Sequence, residues 1–184
     1  MAEQSATGIR VRAATVADEV AVRALYLCAF AAEEADQVAA LALELLRGHE
    51  AQSGFALVAE ASGQVVGHVA FSPVRLREDA SWKGSILAPL AVLPDQQGRG
   101  VGDALVREGL AQLRAAGAKA CFVYGDPAYY GRFGFATEVA LPFTPPHELS
   151  YPTGWLGLAL TVPGEAEARG TLSCVEALDD ASLW

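Results

Sequence analysis

Apolar residues alternate with arginines in Ile9-Arg10-Val11-Arg12, the period of a half-buried strand. Thr15 and Asp18 then offer helix N-caps ahead of the run EVAVRALYLCAF, so a first helix is expected there. Over residues 33–47, Val38, Leu41, Leu45 and Leu46 fall near one helical face, and Gly48 is expected to end the segment. The period then changes to that of strands. Segments 55–60 and 65–71 flank Ala61-Ser62-Gly63-Gln64, an antiparallel hairpin with Gly63 in its turn. Residues 85–92 read as an apolar strand, 100–116 as a helix closed by Gly117, and 120–124 as another strand. Strand, helix and strand with tight links make a βαβ unit, so these two strands are expected to be parallel neighbours. A short helix at 127–132 and a Pro-rich loop at 142–152 follow. Two final strands, 155–162 and 171–177, are expected to pair antiparallel through turn residues at 163–170.

One residue in this pattern is physically odd. Pro89 has no N–H for a sheet ladder, so its place inside strand 85–92 predicts a bulge or a splayed pair of strands. Backbone groups near it are then free for something other than a neighbouring strand.

Length and composition narrow the class. At 184 residues and 52% hydrophobic content the chain can close one substantial core, burying roughly 70% of its unfolded surface. No internal repeat, low-complexity tract or linker interrupts it, so one domain over 1–184 is expected. Thirteen basic residues against twenty-two acidic ones, a net charge of −9, cannot supply the footprint that a nucleic-acid backbone requires. The same field attracts a cationic small molecule or a basic peptide. Cys28, Cys121 and Cys174 are far apart and form no CxxC pair, which argues for a reducing compartment and against a cysteine metal site. The segment MAEQSATGIRVRAAT lacks the apolar core of a secretory leader, and the run 149–164 is broken by Pro152 and Pro163 before it reaches membrane-spanning length. The expectation is a soluble cytoplasmic protein with neither nucleic acid nor membrane as a partner.

The candidate chemistry lies in PDQQGRGVGDAL, directly after the apolar strand, where Gly98, Gly100 and Gly102 occupy every second position before a helix. A flexible turn is one reading. A dinucleotide loop is another, but Asp103 stands where G-x-G-x-x-G needs its third glycine, and no Gly-Lys-[Ser/Thr] exists for a P-loop. The third reading fits best: Gln97-Gly98-Arg99-Gly100-Val101-Gly102 resembles the Q/R-x-x-G-x-G/A pyrophosphate loop of the GNAT superfamily of N-acetyltransferases. Tyr129 to Phe135, YYGRFGF, resembles that superfamily's Y-x-x-x-G-F element, and GDPAYY with RFGF is similar to one uncharacterised bacterial subgroup of predicted acetyltransferases.

The resemblance implies an α/β fold: a mixed central sheet of about seven strands with a bulged or splayed central parallel pair, and about four helices. It implies acetyl-CoA as cosubstrate, no metal, and a primary amine as acceptor, either a small molecule or a peptide or protein amine. Backbone amides of Gln97, Gly98, Arg99, Gly100, Val101, Gly102 and Asp103 are then expected to cup the pyrophosphate. Leu90, Ala91 and Val92 are expected to meet the pantetheine, with the Leu90 N–H also facing the acetyl carbonyl. Tyr130 is the expected general acid for the leaving thiolate, with Tyr129 second.

No carboxylate stands on the strand 85–92, where many members of the superfamily carry a Glu, so the general base is open. His68 is one candidate, and Glu33 and Glu34 are others with an ordinary role as helix N-terminal charges. The loop 142–152, with Phe143, His147 and Tyr151, is expected to border the acceptor cleft. A homodimer is left open, and so is a non-catalytic acyl-CoA sensor or structural module on the same fold.

Overall fold

The computed structural model describes residues 8–52, 54–161 and 168–184. The chain forms two compact units: Met1–Phe71 with Pro89–Gly109, and Ser72–Ala88 with Leu110–Trp184. Among the described residues there are eight strands: β1 Ile9–Ala13, β2 Phe55–Ala61, β3 Gln64–Leu76, β4 Lys83–Val92, β5 Ala120–Tyr124, β6 Phe143–Thr144, β7 Trp155–Ala159 and β8 Gly170–Ser173. The α-helices are α1 Glu19–Ala29, α2 Ala32–Gln52, α3 Val101–Ala115, α4 Pro127–Tyr130 and α5 Thr137–Ala140. None of them is long and apolar enough to cross a membrane.

In the first unit β1 and β2 pair antiparallel, as do β2 and β3. The hairpin turns at Ser62 and Gly63, both at positive φ (50° and 78°), the primed geometry that follows the twist of its strands. Helices α1 and α2 cover one face of this unit through Val22, Leu25, Tyr26, Ala39 and Ala42, packed with Val58 and Ala91. The start of α3 lies against Gly67 of β3. A Cβ there would sit 2.7 Å from Val101 Cγ1 and 2.9 Å from Leu105 Cδ1, so glycine sets how closely α3 approaches. Helix α2 runs through Gly48 rather than stopping at it, because a glycine costs a helix only about 1 kcal/mol and supplies no stop by itself.

In the second unit β4 and β5 are parallel, Gly84↔Ala120 to Ile86↔Phe122, and the register ends before Pro89, which has no N–H to extend it. The expected pairing of 155–162 with 171–177 is corrected here. Strand β7 pairs antiparallel with β5 (Tyr124↔Trp155 to Ala120↔Ala159), whereas β8 pairs antiparallel with β3 and parallel with β6. The cause is in β5, an almost wholly buried run, ACFVY, that takes a neighbour on each edge. The Trp155 ring stacks on Phe122 at 5.2 Å and 6°, which fixes β7 there. Both late strands are shorter than expected, and Glu176–Leu178 is a 3-10 turn. Position 162 of the expected strand, 163–167 of the expected turn, and 1–7 of the segment read as lacking a leader lie outside the described residues.

Candidate active site

Two groups of residues carry the candidate chemistry, one in each unit. In the first, β4 ends at Val92 and the chain passes a 3-10 turn, Pro94–Gln96, before α3. Gln97 reaches back, its Nε2 donating to the Val92 carbonyl at 3.2 Å. Gly98 and Gly100 have φ of +71° and +83°, and a Cβ at either would meet nothing within 4 Å. Backbone conformation, not crowding within the protein, therefore demands glycine, and the loop's outer side is open to a close-fitting ligand. The N–H groups of the first α3 turn have no intrahelical acceptor and sit at the positive end of the helix dipole, an arrangement suited to an anion. Asp103 in that turn is held by Arg107 Nε at 3.0 Å. Leu90, Ala91 and Val92 close β4 just ahead of this loop.

His68 belongs to the same unit but is fully buried, opposite Val58 of β2. Its Nδ1 is 2.9 Å from the Tyr26 hydroxyl, and the two rings meet edge to face at 5.6 Å. His68 was a candidate to take the amine's proton directly or through water, and its burial leaves no part of the ring exposed for direct contact. Glu33 and Glu34 are exposed on the first turn of α2, where carboxylates complement that helix's dipole.

In the second unit, β5 ends at Tyr124 and Gly125-Asp126 turns the chain into α4. Asp126 caps α4, its Oδ1 accepting from the Ala128 N–H at 2.9 Å, and Pro127 fits the first helical position. The cap and the helix place Tyr130, whose ring packs edge to face with Tyr129 (4.9 Å) and Phe135 (5.9 Å). Burial, with the neighbouring Tyr129 second, pushes the Tyr130 phenol well above its ordinary value, so the oxygen keeps its proton throughout the physiological range. Tyr129 is differently employed, with the Arg132 guanidinium 4.0 Å over its ring. The residues after Tyr130 close on Gly134 at φ +93°, which explains the glycine of the Y-x-x-x-G-F element.

Of the three residues expected to border the acceptor, Phe143 is buried beside Trp82 (5.4 Å) and Phe122 (4.9 Å) and lines a concavity with Trp82 and Pro142. His147 Nε2 pairs with Asp179 at 2.7 Å, and Tyr151 is exposed beside Tyr124 and Asp126. Sequence reasoning missed Tyr124 and Gly154. The only trace of Gly154 was a glycine three residues after an aromatic, and of Tyr124 a tyrosine ending an apolar strand.

The chain is similar to known proteins. Residues 10–137 match the family described as an acetyltransferase (GNAT) domain. The chain is 38% identical to the uncharacterized N-acetyltransferase YjhQ of Escherichia coli K12 over 133 residues, covering 70% of this chain and 71% of that one. Its fold is similar to that of the GNAT family N-acetyltransferase YhbS from Escherichia coli, solved in complex with CoA: the TM-score is 0.79 at 28% identity, over 98% of this chain and 97% of the other. It is also similar to a GNAT family acetyltransferase from Brucella melitensis in complex with acetyl-CoA, with a TM-score of 0.68 at 31% identity over 93% and 98%.

Proposed function

The chain belongs to the GNAT family of acetyltransferases, and from that premise we propose that it transfers the acetyl group of acetyl-CoA to a primary amine by direct attack on the thioester. The observation that carries this reading is the open loop with Gly98 and Gly100 in the left-handed region at the start of α3. In this reading the amides of Gln97 to Asp103 hold the pyrophosphate, and the backbone of Leu90, Ala91 and Val92 holds the pantetheine. Acetyl-CoA supplies the activated thioester. The Leu90 N–H stabilises charge developing on the acetyl oxygen, a contribution often worth 10² to 10³ in rate. Tyr130, which keeps its proton, donates it at the departing sulfur.

A primary amine with a pKa near 10 is only about 0.1% neutral at pH 7, so its proton must leave before attack. With β4 lacking a carboxylate and His68 enclosed, the amine reaches the site neutral from solvent or loses its proton to water or to the exposed Glu33 or Glu34, and His68 serves as the buried partner of Tyr26 rather than a group touching the amine. The same two observations favour, as a second reading, an acyl-CoA-binding module without turnover. On the first reading we also place the protein in the cytoplasm, acting as one acetyltransferase domain.

Release of free thiol from acetyl-CoA in the presence of a panel of amines decides between the two. Amine-dependent release supports transfer. Tight CoA binding with no release above hydrolysis for any amine supports the module.

A further inference from the structure

Next to Tyr130 the second unit holds a concavity of about 390 Å³ lined by Tyr124, Gly125, Asp126 and Tyr151. Its walls are tied together by a run of hydrogen bonds and a ring stack. The Tyr151 N–H donates to the Tyr124 hydroxyl at 2.6 Å, which also bonds Ser150 Oγ at 3.0 Å, and Ser150 Oγ donates to the Trp184 carbonyl at 3.0 Å. Trp184 stacks on the Tyr124 ring at 17°. Gly154 lies beneath both tyrosines: a Cβ there would sit 2.8 Å from Tyr151 Cδ1, 3.0 Å from the Gly125 carbonyl oxygen and 3.3 Å from Tyr124 Cε2. One glycine, Gly154, thus lets two aromatic rings approach one concavity, yet Tyr151 keeps 56% of its surface exposed. Tyr151 is anchored through its backbone N–H while its ring stays open to a ligand.

The chemistry of the lining names the ligand's charge. Tyrosine faces attract a cation, and the Asp126 carboxylate adds a full negative charge at the rim. The chain's charge of −9 raises the local concentration of polycations further. A carboxylate and the exposed Tyr151 ring also stabilise an ammonium against losing its proton, so the group bound here is not the nucleophile, which must be neutral to react. Gly125 is the shared wall, with the Tyr130 ring against its Cβ position at 2.6 Å. We propose that Tyr124, Tyr151 and Asp126 hold a second, non-reacting ammonium of the acceptor, so that the substrate class is a diamine or polyamine rather than a monoamine. This inference rests on the acetyl-transfer reading above.

The test compares butylamine with diaminobutane, diaminohexane and spermidine as acceptors. Wild type is expected to favour at least one of the polycations by about tenfold or more in kcat/KM, the size of one cation–π or charge contact. Tyr151→Ala and Asp126→Asn, the latter keeping an oxygen for the α4 cap, are expected to bring that ratio close to one through KM. Tyr151→Phe is expected to retain it, because the ring face and not the hydroxyl does the binding. Ratios within twofold of one for all three polycations in wild type, or a preference that survives both Tyr151→Ala and Asp126→Asn, overturn the proposal. If no amine is acetylated, the acetyl-transfer reading fails, and calorimetry of the same amines on CoA-loaded protein decides the site. Polycation binding lost in Tyr151→Ala supports it, and binding absent or unchanged in that variant overturns it.

Discussion

The ring of Tyr130 rests on the backbone of Gly125 so closely that a Cβ at residue 125 would lie 2.6 Å from Tyr130 Cε2. Proton donation depends on where one oxygen sits, and this contact helps to set it. Gly125→Ala is expected to displace the ring and lower kcat by about tenfold to a hundredfold, since misplacements near 1 Å carry costs of that order. Overpacking adds about 1–3 kcal/mol of destabilisation. Steady-state rates and thermal melts on one preparation separate the two effects, and a kcat within twofold of wild type would show that the contact does not position the hydroxyl.

Gly100 and Gly117 offer a matched pair. Both have positive φ (+83° and +75°) and open space at the Cβ position, but only Gly100 lies in the candidate pyrophosphate loop. Alanine at either costs about 1–2 kcal/mol of backbone strain. Gly100→Ala is expected to weaken CoA binding by about tenfold or more in calorimetry, while Gly117→Ala leaves the affinity within twofold. Equal affinities in the two variants would remove the loop from the site.

The Tyr26–His68 pair is expected to behave as core. Tyr26→Phe leaves a buried imidazole nitrogen without its 2.9 Å partner, a loss of about 1–3 kcal/mol in urea unfolding. Activity per folded molecule should stay within threefold. A loss beyond tenfold with stability intact would instead make the pair a proton route.

Asp18 carries a pH dependence with a definite sign. Arg12 donates to both of its carboxylate oxygens at 2.8 Å, and the Thr15 N–H adds a third bond at 2.8 Å. These contacts hold its pKa at about 2, against an ordinary 3.8. Because the folded-state value is depressed, the stabilisation is complete above the ordinary value and is lost as pH falls through the folded one. Between about pH 4 and pH 2 the fold should lose about 1–2 kcal/mol on this account. Asp18→Asn should lower stability at neutral pH by a similar amount and flatten the acid limb. An unchanged acid limb in the variant would show that Asp18 is not the group responsible.

Much of this was legible in the sequence where local backbone demands a residue type. Gly63 and Gly117 could be placed from the periodic segments they separate, Gly98, Gly100 and Gly134 from resemblance to motifs, and all five take positive φ. The edges of the sheet were not legible. WLGLA and GTLS are short apolar segments, and nothing local states that Trp155 will stack on Phe122 or that β8 will lie against β3 and β6. The partner of a strand buried on both faces is set by rings distant in sequence. Gly154 escaped notice, and Gly125 was read only as part of a motif, for a related reason: glycine is required there by the rings of Tyr151 and Tyr130 coming close in space. The burial of His68 was not legible, because a lone histidine in a strand looks the same whether its ring meets solvent or a buried tyrosine.

Tyr130→Phe tests the proposed chemistry most directly, because it removes one oxygen and keeps the ring that packs on Gly125, Tyr129 and Phe135. General acid catalysis is worth about 10² to 10⁴ in rate, and a contribution realised mainly in the transition state appears in kcat. The expected result, under conditions where chemistry limits turnover, is a kcat lower by at least about a hundredfold, with KM for acetyl-CoA and melting temperature little changed. A kcat within threefold of wild type under the same conditions would contradict the assignment of Tyr130 as the proton donor.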